Sequence, residues 1–173
     1  MIITFTKLQT HHLMLLLKWL ETPHVKAWWD RDVVWTPKLI KEKYGTYIEN
    51  YKIEDGIRKP MHAYIIIVDG IEIGYIQYYN AYDFAHDWSL EVLPTKLAFC
   101  DIFIGEYTYV NKGIGSEILK EFCMKYIFKE FMHCLIDPEV HNLAAIRACS
   151  KAGFKELYRT NRAVIMLKSR NKI

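Results

Sequence analysis

Hydrophobic residues recur along the first third of the chain with the spacing of one strand followed by two helices. Residues 2–6 alternate between apolar and polar side chains, as a strand does. A helix follows with Thr10 as its cap, apolar positions at 13, 16, 17 and 20, and Pro23 at its end. Thr36-Pro37 predicts the start of the second helix, which we expect to end at Asp55-Gly56.

The middle of the chain predicts a β-hairpin. Tyr64–Val68 and Ile71–Tyr79 are rich in β-branched and aromatic residues. Asp69-Gly70 stands between them, and this dipeptide favours a two-residue hairpin turn. We therefore expect two neighbouring antiparallel strands.

A strand, a glycine-containing loop and a helix follow. The apolar run Leu97–Ile104 predicts a buried strand, and seven mostly polar residues separate Gly105 from Gly113-Ile114-Gly115. The next helix has its apolar stripe at positions 118, 119, 122, 123, 126 and 127. Glycines without a Cβ let a ligand approach the main chain, and the unpaired amides of a first helical turn suit a pyrophosphate. A simple turn is the alternative, and the chain contains neither an ATP-binding nor a dinucleotide-binding glycine motif.

The remaining elements complete one mixed domain, which we predict over residues 1–173. His133–Ile136 predicts a short strand, and Asn142 caps a helix that runs to Lys151 and ends at Gly153. Two last strands are expected near Phe154–Tyr158 and Ala163–Leu167. The predicted order is β-α-α-β-β-β-α-β-α-β-β, with neither a repeat nor a linker.

Composition excludes several classes of protein. Of the 173 residues, 51% are hydrophobic and 25% are charged, as is usual for soluble globular proteins. No apolar run approaches the roughly 20 residues of a membrane helix, and the N-terminus lacks a signal-peptide pattern, so we expect a cytoplasmic protein. The net charge of +3 is concentrated at Lys168, Arg170 and Lys172, without the basic stripe of a nucleic-acid-binding protein.

Cysteine and histidine spacing argues against a metal site. The four cysteines lie far apart, and Cys100, Cys123 and Cys134 have apolar neighbours typical of buried free thiols. The seven histidines include the pair His11-His12 but no quartet at zinc-ligand spacing.

Two further features have both a structural and a functional interpretation. Between Asp83 and Glu106 there are five acidic residues and one lysine, a net charge of −4, which either is a solvated loop or attracts a cationic substrate. Trp28 and Trp29 are adjacent in a segment we expect to be irregular. They either wall a ligand pocket or close one end of the core.

Two blocks of sequence resemble the GCN5-related N-acetyltransferases (GNATs). Val110-Asn111-Lys112-Gly113-Ile114-Gly115 resembles their acetyl-CoA pyrophosphate loop, with Val110 in place of the usual Gln or Arg. Asn142-x-x-Ala145-x-x-x-Cys149-x-x-x-Gly153-Phe154 resembles their Asn-x-x-Ala-x-x-x-Tyr-x-x-x-Gly-Phe helix, with Cys149 in place of Tyr. The resemblance implies an α/β (α+β) GNAT fold with a mixed central sheet of about six to seven strands, flanking helices and a splayed fourth and fifth strand.

The resemblance extends over nearly the whole chain to the aminoglycoside 6′-N-acetyltransferases. Matching segments include His24-Val25-Lys26-Ala27-Trp28-Trp29, Ile73–Gln77 and Asp137-Pro138. The implied co-substrate is acetyl-CoA, and no metal is expected. The implied partner is a polycationic small molecule, and neither a nucleic acid nor a membrane is expected as a partner. The protein is expected to be a monomer or a homodimer. The residues that it places at acetyl-CoA are Ile102, Phe103, Ile104, Val110, Asn111, Lys112, Gly113, Ile114, Gly115, Ser116 and Asn142. Those that it places at the amine substrate are Trp28, Trp29, Tyr64, Gln77, Asp87, Asp101 and Asp137.

The resemblance also implies a direct transfer of acetyl to an amine. Asp101 is the expected general base, provided that Phe99 and Phe103 raise its pKa, and backbone amides near Ile102–Ile104 are expected to polarise the thioester. Cys149 stands where relatives commonly have a tyrosine that protonates the leaving thiolate of CoA. It either acts as that acid or is an inert filler, in which case water or Tyr107 supplies the proton. A further alternative is a route in which Cys149 itself is acetylated.

The alternatives to an aminoglycoside acetyltransferase are the same chemistry on another amine or hydroxylamine, such as a polyamine or siderophore precursor, and a silent acyl-CoA-binding module. Fold alone does not separate them.

Overall fold

A computed structural model describes residues 1–170, so Lys172 of the predicted basic end lies outside the described residues. The α-helices are α1 (Leu13–Leu20), α2 (Pro23–Lys26), α3 (Pro37–Ile48), α4 (Ile114–Phe122), α5 (Phe128–Glu130) and α6 (Leu143–Lys151). Short 3-10 turns occupy Thr10–His12, Ala81–Asp83 and Tyr107–Tyr109, and a π-helical turn, Cys123–Ile127, joins α4 to α5. None of the helices within residues 1–170 is both long and apolar enough to cross a bilayer.

Seven of the nine strands within residues 1–170 form one mixed sheet in the order β1-β4-β5-β6-β7-β9-β8, in agreement with the predicted GNAT-like architecture. The strands are β1 (Ile3–Lys7), β2 (Tyr51–Glu54), β3 (Ile57–Pro60), β4 (His62–Val68), β5 (Ile71–Asn80), β6 (Leu97–Ile104), β7 (His133–Ile136), β8 (Lys155–Arg159) and β9 (Val164–Ser169). Strands β2 and β3 form a separate two-stranded sheet.

The predicted splay lies between β6 and β7, which are the fourth and fifth strands of the sequence prediction. These parallel strands pair from Leu97↔His133 to Phe99↔Leu135. Strand β6 then continues to Ile104, beyond this ladder. The end of β6 therefore presents main-chain groups that the β7 ladder does not use.

The chain divides into two compact units. The first comprises Met1–Gln77 and Ile102–Val110, and the second comprises Tyr78–Asp101 with the chain from Asn111 onward. Strands β5 and β6 each pass from one unit to the other along the sequence. The single domain over residues 1–173 stays a prediction.

Aromatic side chains dominate the core of the first unit. Tyr75 stacks on Phe103 at 5.5 Å and lies edge-to-face with Tyr44 at 5.6 Å. Trp19 of α1 lies edge-to-face with Phe103 at 6.2 Å. Trp19, Tyr44 and Tyr75 have no exposed surface, so these rings fix α1 and α3 on the sheet.

Apolar residues of the strands form the core of the second unit. Leu97, Phe99 and Leu135 pack together with Ala81 and Ile165, and the half-buried Trp88 covers this cluster. The predicted stripe of α4 is buried at Ile118, Leu119, Phe122, Cys123 and Ile127. Cys100, Cys123 and Cys134 are buried free thiols, as predicted.

The predicted caps of α3 and α6 are confirmed. The Thr36 hydroxyl accepts a hydrogen bond from Leu39 N at 3.2 Å, with Pro37 at the first helical position. Asn142 Oδ1 accepts from Ala145 N at 3.1 Å, and Gly153 follows the helix with φ +93°.

Three predicted boundaries are wrong. Helix α3 ends at Ile48, and Asp55-Gly56 is instead the turn of the β2–β3 hairpin, with φ of +49° and +75°. Thr10 begins a 3-10 turn and does not cap α1 with its side chain. Pro23 starts α2, so a helical turn precedes the two tryptophans where an irregular segment was expected. The errors share a cause, since Gly, Pro and Thr mark both the start and the end of elements.

Candidate active site

At the junction between β6 and the following loop, two consecutive backbone amides donate hydrogen bonds to the same carbonyl oxygen. Gly105 N and Glu106 N both donate to Ile73 O, at 2.7 and 3.0 Å. Two residues that directly follow β6 thus oppose one residue of β5, as in a β-bulge, which bends the strand end. Bulges of this kind commonly re-aim the chain next to a functional site.

Glu106 ties this loop to α1. Its Oε1 accepts from Lys18 Nζ at 2.6 Å and from Trp19 Nε1 at 2.8 Å. Lys18 foremost, and then Trp19, holds the pKa of Glu106 below its usual value. Glu106 is one of the five acidic residues of the acidic segment 83–106, and Lys18 balances its charge.

The predicted pyrophosphate loop has an exposed main chain. Asn111 and Gly113 adopt left-handed backbones, with φ of +59° and +77°. Both residues and Lys112 are exposed, and no atom lies within 4 Å of a Cβ built on Gly113. A bulky anion can therefore reach this backbone, beside a lysine that attracts it.

Helix α4 starts directly after Gly113. The Ser116 hydroxyl donates to Gly113 O at 2.9 Å and is nearly inaccessible, so the side chain of Ser116 stabilises the turn. Gly115 lies within the helix, which leaves the backbone amides of the first turn as the anion-binding groups. Half-buried Val110 precedes the loop and donates its N–H to Tyr107 O at 3.0 Å. The exposed main chain of Asn111, Lys112 and Gly113 leaves space for an anion, and the binding of a pyrophosphate there stays a prediction.

Strand β6 carries the predicted base and the predicted thioester-binding backbone. Asp101 is half-buried, as are Ile102 and Ile104, whereas Phe103 is buried. His24 Nε2 lies 3.0 Å from Ile104 O. His24 belongs to a segment that the sequence analysis quoted, but its contact with β6 was not foreseen, since 80 residues separate the two positions.

The two tryptophans differ in exposure. Trp29 is half-buried and lies edge-to-face with Phe103 at 5.0 Å and Tyr75 at 6.1 Å. Trp28 is 43% exposed. Trp29 therefore packs in the aromatic core, whereas Trp28 offers its ring to solvent. A role of the pair in walling a ligand pocket stays a prediction.

Tyr64 and Gln77, predicted at the amine substrate, are buried. Tyr64 is 6% exposed and Gln77 is 8% exposed. The Gln77 amide oxygen accepts a hydrogen bond from Tyr75 OH at 2.7 Å. Their placement at the substrate stays a prediction.

Asp137 follows β7 and is half-buried. Its Oδ2 accepts a hydrogen bond from Trp88 Nε1 at 3.0 Å. Burial raises the pKa of Asp137 to about 6, while the bond from Trp88 acts in the opposite direction. Trp88 was not among the predicted site residues; its only signal in the sequence was a large aromatic residue next to Asp87 in an acidic segment.

Asp87 lies at the surface. Its side chain is 88% exposed, and its Oδ2 is 3.8 Å from Arg162 Nη1, which is itself largely exposed. A pair with this geometry contributes little to stability. Asp87 is therefore accessible to a cation, as its predicted role requires.

Cys149 is poorly suited to be an acid. The thiol is 2% exposed, and burial raises its pKa to about 12. An ordinary thiol has a pKa of about 8.5, so transfer of a proton from Cys149 to a thiolate is uphill. This geometry favours the inert alternative left open by the sequence.

Among residues 1–170, His11, His12 and Glu72 bring three potential metal-ligand atoms within 4.8 Å of one another. His12 Nδ1 accepts a hydrogen bond from Gln9 N at 3.0 Å, which places the proton of the neutral ring on Nε2. That nitrogen faces Glu72 Oε1 at 3.2 Å. The arrangement is thus a donor–acceptor pair between His12 Nε2 and Glu72. A metal at Nε2 would displace the ring proton to Nδ1, which then could not accept the bond from Gln9.

Comparison with known proteins gives concordant matches. A family model described as an acetyltransferase (GNAT) domain matches residues 9–161. The aminoglycoside N(6′)-acetyltransferase type 1 of Klebsiella pneumoniae is 26% identical over 155 residues, which cover 88% of this chain and 74% of that protein. The crystal structure of aminoglycoside acetyltransferase AAC(6′)-Ib with coenzyme A and kanamycin is 26% identical, with a TM-score of 0.82 over 98% of this chain and 95% of that one. Its structure with ribostamycin and coenzyme A is 25% identical, with a TM-score of 0.83 over 97% and 93% of the two chains.

Proposed function

Because the chain belongs to the GNAT family of acetyltransferases, we propose that it transfers the acetyl group of acetyl-CoA to the 6′-amine of aminoglycosides. One observation carries the choice of substrate: the likeness to an enzyme solved with coenzyme A and kanamycin extends over 98% of this chain. Acetylation of that amine removes a positive charge from the drug. The activity would therefore confer resistance.

The exposed loop and the first turn of α4 would bind the pyrophosphate of acetyl-CoA. Gly113 leaves room for close approach, and Lys112 supplies a positive charge. The amides of the first turn would donate hydrogen bonds to the anion. Acetyl-CoA supplies an activated acetyl thioester, and the main chain of Ile102–Ile104 would orient it.

Carboxylates would bind and deprotonate the amine. A protonated amine is not a nucleophile, so one group must accept its proton. We assign this role to Asp101, which is half-buried and immediately precedes Ile102 in the chain. Asp137 and the exposed Asp87 would bind other ammonium groups of the polycation.

We assign Cys149 a packing role. Its burial and its pKa of about 12 leave the thiol protonated and a weak acid at neutral pH. The proton for the departing thiolate would come from water or from Tyr107, whose ring is 71% exposed. An acetyl-Cys149 route is disfavoured for the same reason, because attack on a thioester needs a thiolate.

The test is the rate of CoA release from acetyl-CoA with purified protein and kanamycin. We expect saturable turnover that disappears when the 6′-amine of the drug is replaced by hydroxyl. Turnover with spermidine or hydroxylamine but not with kanamycin would support the alternative function, acetylation of another small amine or hydroxylamine. CoA binding without turnover on any amine would indicate a silent binding module.

A matched pair of variants tests the assigned base. Asp101→Asn should lower kcat/KM by roughly 10²–10⁴-fold, the usual contribution of a general base. Asp55→Asn is the control, because Asp55 is exposed in the β2–β3 turn and its φ of +49° also suits Asn. Near-normal kcat/KM in Asp101→Asn would exclude Asp101 as the base.

A further inference from the structure

Trp88, in the loop before β6, donates a hydrogen bond to the half-buried carboxylate of Asp137, which directly follows β7. Trp88 lies between the 3-10 turn Ala81–Asp83 and β6, and its Nε1 is 3.0 Å from Asp137 Oδ2. Both residues are half-buried. A hydrogen bond to an ionised group is stronger than one between neutral groups, and it strengthens where water is partly excluded.

The indole ring of Trp88 packs against two other rings. His86 stacks on it with ring centroids 4.5 Å apart and an interplanar angle of 25°, and Phe99 lies 5.9 Å away. His86 Nε2 is in turn 2.9 Å from Ala81 O. The loop therefore presents a fixed N–H to Asp137 and not a freely rotating one.

We propose that Trp88 is a positioning residue for Asp137: its indole N–H holds the carboxylate in the ionised form that binds the amine, and ionisation of Asp137 sets the lower pH limit of amine acetylation. The second half of this statement rests on the proposed function. The first half concerns the protein alone and can be tested without a substrate.

The surroundings of Asp137 other than its hydrogen bonds disfavour its ionised form. Burial is the largest effect that raises the pKa of Asp137, and the negative charges of Asp87 and Glu139 raise it further. Arg162 Nη1 lies 3.8 Å from Asp87 Oδ2. Cys149, with a pKa raised to about 12, is a neutral thiol at neutral pH. Trp88 provides the leading opposing interaction. With a pKa of about 6, the carboxyl is about nine-tenths ionised at pH 7, and one unit higher would leave it about half ionised.

The test uses Trp88→Phe, which keeps an aromatic ring against His86 and removes the donor. Trp35→Phe is the matched control: Trp35 is 8% exposed, and its Nε1 is buried without a hydrogen-bond partner. The full-length protein is labelled with ¹³C-carboxyl aspartate and titrated by NMR. Asp137→Asn identifies the resonance of Asp137 by its disappearance.

We expect a midpoint near 6 in the wild type and in Trp35→Phe. The midpoint in Trp88→Phe should rise by about one unit, the size expected for loss of one hydrogen bond to a charged group. The acidic limb of kcat/KM, which reports the free enzyme, should move by the same amount. Activity of Trp88→Phe would then be about fivefold lower than that of the wild type at pH 6 and nearly equal at pH 8.

The imidazole of His86 stacks on Trp88, so His86→Gln is included as a control for a histidine contribution. We expect this variant to retain the acidic limb, because Asp137 and not His86 produces it. Loss of the limb in His86→Gln, or an unmoved Asp137 midpoint in Trp88→Phe, overturns the proposal.

The readouts separate this inference from the proposed function. A moved midpoint with an unmoved acidic limb also overturns the inference, since Asp137 would not limit the reaction. If the wild type acetylates no aminoglycoside, the proposed function is wrong. The NMR titration still decides whether the hydrogen bond from Trp88 lowers the pKa of Asp137. Asp137→Asn gives the complementary result: if it stays active, its kcat/KM profile should lack the acidic limb with a midpoint near 6.

Discussion

Gly105 lies directly against the indole ring of Trp19, and a Cβ built on this glycine would come within 2.2 Å of the ring. Trp19 is fully buried and its Nε1 is bonded to Glu106, so the ring has no space to move away. This contact places the junction between β6 and the glycine-containing loop against α1. The glycine is required here by space and not by backbone conformation.

Gly105→Ala should therefore destabilise the protein by about 1–3 kcal/mol, the usual result of overpacking a core. Urea unfolding followed by circular dichroism measures the change. Gly45→Ala is the control, because Gly45 lies within α3 and no atom is within 4 Å of its Cβ position. That substitution should stabilise by about 0.5–1 kcal/mol, as expected for Gly to Ala in a helix. Equal effects of the two substitutions would contradict the steric argument.

The ion pair of Glu106 predicts a loss of stability in acid. Lys18 foremost lowers the pKa of Glu106 from its ordinary value of 4.5. The stabilisation is present above pH 4.5 and is lost as the pH falls through the lowered pKa, because the unfolded state binds the proton first. We expect the free energy of unfolding of Glu106→Gln to depend less on pH below 4.5 than that of the wild type. Glu117→Gln, in an exposed pair on the surface of α4, should keep the wild-type dependence.

The buried His12 predicts a second pH effect, in a higher range. Burial foremost lowers its pKa from 6.5, and His11 adds to this, whereas Glu72 opposes it. The unfolded state therefore binds a proton first as the pH falls through 6.5, and stability should decline below that pH. NMR titration of the ring should give a midpoint below 6.5.

Two variants test that assignment. Removing the opposing charge with Glu72→Gln should lower the midpoint of His12 further. Glu54→Gln, which removes a carboxylate of the β2–β3 hairpin, should leave the midpoint unchanged. A wild-type midpoint above 6.5 would mean that Glu72 outweighs burial, contrary to our expectation.

Cys149→Ala tests the packing role of this residue. We expect kcat/KM within about threefold of the wild type and a loss of stability of about 1 kcal/mol, typical of a core truncation. The thiol, which is 2% exposed, should react with an aromatic disulfide reagent only after unfolding. Tyr107→Phe is the companion variant, and a larger fall in kcat there would indicate that Tyr107 supplies the proton. A fall of a hundredfold in Cys149→Ala would instead restore the catalytic interpretation.

The local sequence was sufficient for most elements and caps. The apolar run Leu97–Ile104 matches β6 residue for residue, and Asn142 caps α6 as predicted. Such features depend on the hydrophobic period and on hydrogen bonds that reach three residues along the chain. The β2–β3 hairpin was missed although Asp55-Gly56 has the same left-handed backbone as Asp69-Gly70. The short strands that flank it are largely polar, so their period did not separate them from a helix end.

The sequence by itself determined the family, the exposed glycine-containing loop and the carboxylates that candidate chemistry requires. Only the tertiary structure decided the state of those carboxylates. Glu106 is paired with α1, 88 residues away at Lys18, and Asp137 receives its hydrogen bond from Trp88, 49 residues away. The physical reason is that burial and hydrogen bonding set a pKa, and both depend on neighbours that no local pattern specifies. The periodicity of a chain predicts its elements, whereas its electrostatics follow from the packing of those elements.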